Sequence, residues 1–429
     1  MQNLVEAYPR IVRTDKPVEV ILELKGLIGS VPACEMQFVM REVSGRRENI
    51  VLEPRHDKGG RLHFSHTFFG EQEHVLLVTH VPPSGKKSLV SRVPFYSLED
   101  DLFSRLPFKG DFHIHSNRSD GREPPAYVAA ACRRVGFDFM ALTDHSAYEP
   151  SLEAIAAFRD SPADLRIFPG EEVHLPGINQ HIVNFGGSFS VNALGRDKPR
   201  FEKEVAAVEA KLPAGIDAAI RHEYAACLWA YRKIREAGGI GIFCHPYWGS
   251  GYVDHTMEAI VEMHFRDMPF DAYELLGGFL RKDAESNIRQ VARYHEERTR
   301  GCKIPIVGAS DAHGCERGEL FGWYYTIVFA RSCSLDDLKE AIGSLYSVAV
   351  EALPGDVPRA HGSYRLVSYA QFLIREFFPR HDDLCMREGI WMFAHLAGDE
   401  RAVEKMTELK GQTARLTESF RGKPSPDRS

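Results

Sequence analysis

The stretch Phe112-His113-Ile114-His115, followed by Ser119-Asp120-Gly121, decides how the rest of this 429-residue chain is read. Residues two apart on an extended segment point to one side. His113 and His115 therefore present two imidazoles to one place, and Asp120 adds a carboxylate from the next loop. Outward from this stretch the same arrangement recurs, a short apolar run that meets a His, Asp or Glu. His145 ends Leu142-Thr143-Asp144-His145, and Glu172 ends Phe168-Pro169-Gly170-Glu171-Glu172. His181 opens the run Ile182-Val183-Asn184-Phe185, with His174 a competing candidate nearby. His245 ends Ile242-Phe243-Cys244-His245, and Asp311 and His313 follow Val307-Gly308-Ala309-Ser310.

Helical patterns fall between these runs, at 124–135, 151–159, 218–237, 283–300 and 335–346, with further strand candidates at 271–276, 303–307 and 325–329. Repeated β-then-α units predict a parallel sheet or barrel. The candidate ligands then lie at C-terminal strand ends, where barrel enzymes place their chemistry. Any one of these histidines alone reads as a core or surface residue; recurrence at one topological location is what points to a metal site. Imidazole and carboxylate suit Zn, Mn or Fe. Nine such groups exceed the needs of one ion and suit two or three divalent metal ions sharing a bridging carboxylate.

Residues 1–100 have another rhythm. Val18–Leu24, Met36–Val43, Leu62–Phe68 and Glu73–Val81 alternate apolar and polar residues and are parted by Pro, Gly and Ser clusters. This predicts a small antiparallel, sandwich-like β domain. Its histidines His63, His66, His74 and His80 are explained by half-buried strands without a metal. The expected layout is a β domain at 1–100, a metallohydrolase unit at 101–355 with an insertion at about 187–217, and a helical extension with a polar tail at 356–429.

The motifs from His113 to Gly314, taken in order, resemble the PHP domain, named for polymerase and histidinol phosphatase. The resemblance covers residues 108–350 and rests on His113-Ile114-His115, Ser119-Asp120-Gly121, Thr143-Asp144-His145, Pro169-Gly170-Glu171-Glu172-Val173, His245-Pro246 and Ser310-Asp311-Ala312-His313-Gly314. It implies a distorted (β/α)7 barrel. It also implies one ion on His113, His115, Glu172 and Asp311, a second on Glu172, His181 and His245, and a third on Asp120, His145 and His313. Lys109-Gly110-Asp111 and His245-Pro246-Tyr247-Trp248 are similar to a group of PHP proteins with an N-terminal β domain and carbamate-hydrolase-like members.

The expected reaction is hydrolysis by activated water, with Asp311 as the catalytic residue that orients it. No Gly-x-Ser-x-Gly elbow offers a serine nucleophile. Arg118, Arg122 and Arg317 flank the motifs and are the candidate substrate-binding residues for a phosphate. Tyr247, Trp248, Trp323 and Tyr324 are candidates for a more apolar pocket. Cys244 and Cys315 read as a buried small residue and a loop residue.

The first expectation is a phosphoesterase acting on a small phosphorylated metabolite or nucleotide. The second is a carbamate, ester or amide hydrolase, and a third is a non-catalytic metal- or ligand-binding protein. The net charge of -7 without a long basic run disfavours extended nucleic acid. Eight scattered cysteines without a C-x-x-C pair fit reduced thiols in the cytoplasm. No apolar run approaches a membrane span. A small-molecule substrate and a possible homo-oligomer complete the expected partners.

Overall fold

The computed structural model describes residues 4–26, 35–45, 49–250, 253–278, 284–316 and 320–422. Arg317 lies outside the described residues. The chain is a mixed α/β protein that divides into two compact units. One comprises residues 1–106, 367–381 and 411–429; the other comprises 107–366 and 382–410. The residues after 355 are thus shared between the two.

In the first unit, strict alternation produces two sheets. Val5–Tyr8, Pro17–Leu24, Leu62–Thr67 and Arg55–His56 form one antiparallel sheet. Ile11–Arg13, Ser88–Leu98, Gln72–His80, Met36–Glu42 and Ile50–Leu52 form the other, antiparallel except for its first pair. Val20, Leu22, Leu62 and Phe64 from the first sheet join Phe38, Met40, Leu76, Val78 and Phe95 from the second in one apolar cluster. The C-terminal segments add to this unit through the pair Arg10 Nη2–Glu376 Oε2 at 2.6 Å and the bond from Arg10 N to the Phe420 carbonyl at 2.8 Å.

In the second unit, short buried strands alternate with helices. One sheet has the order Arg166–Phe168, Phe139–Ala141, Leu106–Asp111, Tyr324–Ala330, Ser347–Glu351, Arg359–His361. The other runs Gly170–Val173, Ile182–Phe185, Ile240–Phe243, Ala272–Leu276, Ile306–Gly308. Central strands such as Ile240–Phe243 and Tyr324–Ala330 read as continuous runs without a charged residue because both faces are buried. Ile182–Phe185 runs antiparallel to both neighbours, against the expectation of uniform parallel pairing. The connection over 174–181 is too short for the helical crossover that a parallel pair needs. Two charge pairs, the second of them buried, tie residues 382–396 of the helix Phe378–Leu396 into this unit: Lys109 Nζ–Asp382 Oδ2 at 2.8 Å, and Arg133 Nε with Glu388 Oε2. The insertion folds into the helices Val191–Arg196 and Lys198–Glu209.

Candidate metal centre

The first strand ends at Asp111, and beyond it Ile114 makes only an isolated bridge to Ala312. His113 and His115 therefore sit just past a strand rather than on one. The buried Asp111 carboxylate accepts from His113 N at 3.1 Å and from Ser310 N at 3.1 Å, which turns both segments together. Burial pushes this carboxyl up to about 7. Backbone bonds stitch the following segments side by side: Asp311 N to the His113 carbonyl at 2.8 Å, Thr143 N to the Ile114 carbonyl at 2.9 Å, and Glu172 N to the Asp144 carbonyl at 3.2 Å. Asp144 takes no place among the candidate ligands. It accepts from Ser116 N, Ser116 Oγ, Ser119 N and Ser119 Oγ at 2.6–3.1 Å and shapes the loop that carries Asp120.

All nine candidate ligands converge. The buried Glu172 carboxylate stands in the middle. Its Oε1 lies 2.9 Å from His181 Nδ1, 3.2 Å from His245 Nε2 and 3.6 Å from His113 Nε2. Its Oε2 lies 2.5 Å from His145 Nδ1 and 3.7 Å from His115 Nε2. Asp311 Oδ1 is 2.8 Å from His115 Nε2 and 3.3 Å from His113 Nε2. Asp120 faces His313 Nε2 at 3.2 Å and His145 Nε2 at 3.4 Å. Four groups of donor atoms, each within 4.8 Å of one another, result: His113, His115 and Asp311; His113, Glu172, Cys244 and His245; His115, Asp120, His145 and His313; and His145, Glu172, His174 and His181.

The neighbours Glu171 and Glu172 separate by strand alternation. Glu171 points the other way and accepts from Asn184 Nδ2, Ser190 Oγ, Val191 N and Asn192 Nδ2 at 2.5–3.1 Å, so it holds the start of the insertion. His245 and Asp311 both adopt positive φ, at 28° and 50°. Non-glycine residues there are strained and concentrate at functional sites.

These atoms fit divalent cations. Glu172 Oε2, His115 Nδ1 and His181 Nδ1 are buried and have no hydrogen-bond partner. Buried polar atoms left without partners in the midst of imidazoles and carboxylates are what the ligands of a cation present. Burial raises the Glu172 carboxyl, but His181, His113 and His145 outweigh it and hold it well below the carboxylate range. Burial lowers the His115 and His181 imidazoles to about 4, leaving them neutral and able to coordinate.

No family model matches the chain. Over 79 residues it is 37% identical to the DNA polymerase/3'-5' exonuclease PolX of Bacillus subtilis (strain 168), a segment spanning 18% of this chain and 14% of that protein's length. Among solved structures, a two-domain protein of Bacteroides vulgatus ATCC 8482, described as containing a predicted PHP-like metal-dependent phosphoesterase, matches at 19% identity and TM-score 0.40, covering 57% of this chain and 65% of that one. An amidohydrolase of Chromobacterium violaceum, with bound sulfate and no metal, matches at 20% identity and TM-score 0.31 over 50% of this chain and 89% of that one.

Around this centre stand residues with no local signal in the sequence. Glu274 is fully buried on the strand Ala272–Leu276. Its Oε2 lies 2.9 Å from His113 Nδ1, and its Oε1 accepts from His245 N at 3.2 Å. A carboxylate in that position fixes the ring's tautomer and aims its other nitrogen. A Cβ at Gly277 would come 1.9 Å from Glu274 Oε1, so only glycine leaves the carboxylate its room. Arg196 of the insertion donates to the Ser146 carbonyl, next to His145.

Arg118 is engaged in a bidentate pair with Glu153 at 2.8 and 2.9 Å, and Arg122 is exposed. Trp248 packs beside His245 and His255, with ring centroids 6.0 and 4.5 Å apart. Tyr247 is buried under the Arg289 guanidinium, and Tyr324 is buried with its hydroxyl on Glu351. Trp323 is partly buried against the core. Cys244 is buried with Sγ 3.9 Å from Glu172 Oε1, and burial pushes its thiol well up.

Proposed function

We propose that this chain is a metal-dependent hydrolase with a centre for two or three divalent ions, acting on the phosphate ester of a small metabolite or nucleotide. The observation that carries the reading is Glu172, a buried carboxylate within 3.7 Å of six imidazoles, those of His113, His115, His145, His174, His181 and His245. His113, His115, Glu172 and Asp311 would hold one ion, Glu172, His181 and His245 a second, and Asp120, His145 and His313 a third. Such ions supply Lewis acidity and lower the pKa of water.

The chain's own groups do the rest. Glu274 keeps the proton on His113 Nδ1 and leaves Nε2 free toward Glu172 and Asp311. Nearby imidazoles hold the Asp311 carboxyl far below its usual range, so it stays an acceptor able to orient the attacking water. Arg122, with Arg118 released from Glu153 and Arg317, would add charge-assisted bonds to the phosphate. The alternation of short strands with helices through this unit supports a distorted (β/α)7 barrel, with the β unit as a separate domain. The reading includes a cytoplasmic, small-molecule enzyme.

Two observations favour a second reading. Arg118 is already paired, and Trp248 sits beside His245, which suits a carbamate, ester or amide better than a dianion. The test is kcat/KM on one metal-loaded preparation for generic phosphomonoesters and phosphodiesters against aryl esters and carbamates. Faster phosphoester turnover, lost on chelation and regained with Mn or Zn, is the expected result. Cleavage of carbamates with no phosphoester turnover would replace the first reading by the second.

A further inference from the structure

His174 lies beside the centre and belongs to none of the three ligand sets above. It follows Glu172 by two positions, so both side chains leave the segment on the same side. Its ring stacks on that of His181, with centroids 3.7 Å apart at 29°. The two rings face the two oxygens of one carboxylate: His181 Nδ1 stands 2.9 Å from Glu172 Oε1, and His174 Nε2 stands 3.3 Å from Glu172 Oε2. His145 Nδ1 completes the group, 2.8 Å from His174 Nε2. Two metal–nitrogen bonds of about 2.1 Å at ordinary coordination angles place their donor atoms roughly 3 Å apart. The observed separations have that size, and Glu172 Oε2 and His181 Nδ1 lack any hydrogen-bond partner.

The insertion holds His174 there. Asn192, on the helix Val191–Arg196, accepts from His174 N at 2.9 Å and donates to the Glu172 carbonyl at 2.9 Å. The same amide group donates to Glu171 Oε2, so its orientation is fixed by three bonds. The backbone of residues 172–174 is thus clamped from both ends just where the strand Gly170–Val173 stops.

We propose that His174 is a metal ligand, and that with Glu172 and His181 it closes a four-donor site whose further ligand is His145 or His245. This rests on the metal-centre reading above and adds a protein ligand to it. An ion held by four protein donors keeps fewer positions for water than one held by three. The expected consequence is one tightly held ion in the centre that resists exchange, beside one or two that exchange freely.

The rival role for His174 is hydrogen bonding to His145 alone, and His174→Gln separates the two, since its amide can still reach a hydrogen-bond partner at the ring-nitrogen position. Wild type, His174→Ala and His174→Gln are stripped with chelator, checked for equal metal-free Tm, and titrated with Co2+. Ion count is read by elemental analysis, and affinity by d–d absorption. The proposal expects both variants to lose one ion of the wild-type count, with that ion's affinity down by more than the roughly 10–100-fold that loss of a positioning partner costs. A His174→Gln titration that matches wild type in count, affinity and spectrum would overturn it. Wild type that binds no Co2+ would instead bring down the metal-centre reading on which it stands.

Discussion

Both compact units place histidines on or beside strands, and they use them in opposite ways. In the β unit His74 is buried alone, with Nε2 2.8 Å from Ser97 Oγ and its ring edge-on to Phe68 at 5.1 Å. His63 stands between the exposed or half-buried carboxylates of Glu19 and Asp57, and His80 meets that of Glu35. Among the described residues, none of the four belongs to a group able to hold a metal. In the other unit the histidines meet each other around one buried carboxylate. Residue type does not distinguish the two cases. What differs is whether several segments end at the same place with a carboxylate between them, or whether one strand packs its histidine into an apolar layer.

Removing the shared carboxylate should break that contrast most completely. Glu172→Gln is expected to lose metal from every set that Glu172 serves and to drop turnover to background, as read by elemental analysis and kcat. Retention of full metal content would show that the imidazoles do not need a common anion.

A smaller effect should come from the residue that aims one of them. Glu274→Gln leaves all nine ligands in place but weakens the grip on the His113 Nδ1 proton. Metal affinity or kcat should fall by about 10–100-fold. Calorimetric metal titration checks this, and an unchanged affinity with an unchanged rate would remove Glu274 from the centre.

The β unit offers the opposite signature, a pH effect on stability with no effect on metal. Burial holds His74 at about 4, below its ordinary 6.5. As pH falls from about 6.5 to about 4 the unfolded chain takes up a proton that the folded unit refuses. Stability is therefore full above about 6.5 and declines through that window, by up to about 3 kcal/mol. Denaturant melts at pH 7.5 and 4.5 should show the decline, and His74→Gln should flatten it. A wild-type profile as flat as the variant's would reject this account.

The smallest effect is expected at Glu171, adjacent to the most sensitive residue. Its carboxylate is buried but turned to the insertion, so Glu171→Gln should cost on the order of 1–3 kcal/mol of stability. The metal content of the folded protein should stay at the wild-type level. A ranking in which Glu171→Gln strips metal and Glu172→Gln does not would reverse the assignment of the pair.

Much of the candidate centre was legible in the chain because the candidate ligand positions coincide with local signals. Short apolar runs that end in His, Asp or Glu mark strand ends, and residues two apart mark a shared side, so all nine candidates could be named before any contact was known. The β unit's alternation was legible for the same reason, although its short strands Val5–Tyr8, Ile11–Arg13 and Ile50–Leu52 are too brief to show a period. The extended stretch at 112–115 lies just past the strand Leu106–Asp111 rather than on it, because the Asp111 side chain takes backbone N–H groups from two segments. That competition is invisible to periodicity.

The sequence alone determined which residue types end which runs, because alternation and helical period are properties of neighbours along the chain. Only the tertiary structure decided that Glu274, 161 positions after His113, would bond to its ring. It also decided that Asn192 would clamp the segment from Glu172 to His174, and that His174 would stand with His181 rather than in place of it. These contacts depend on register between strands and on where an insertion folds back. Such register is set by the packing of the whole unit, and no local pattern records it.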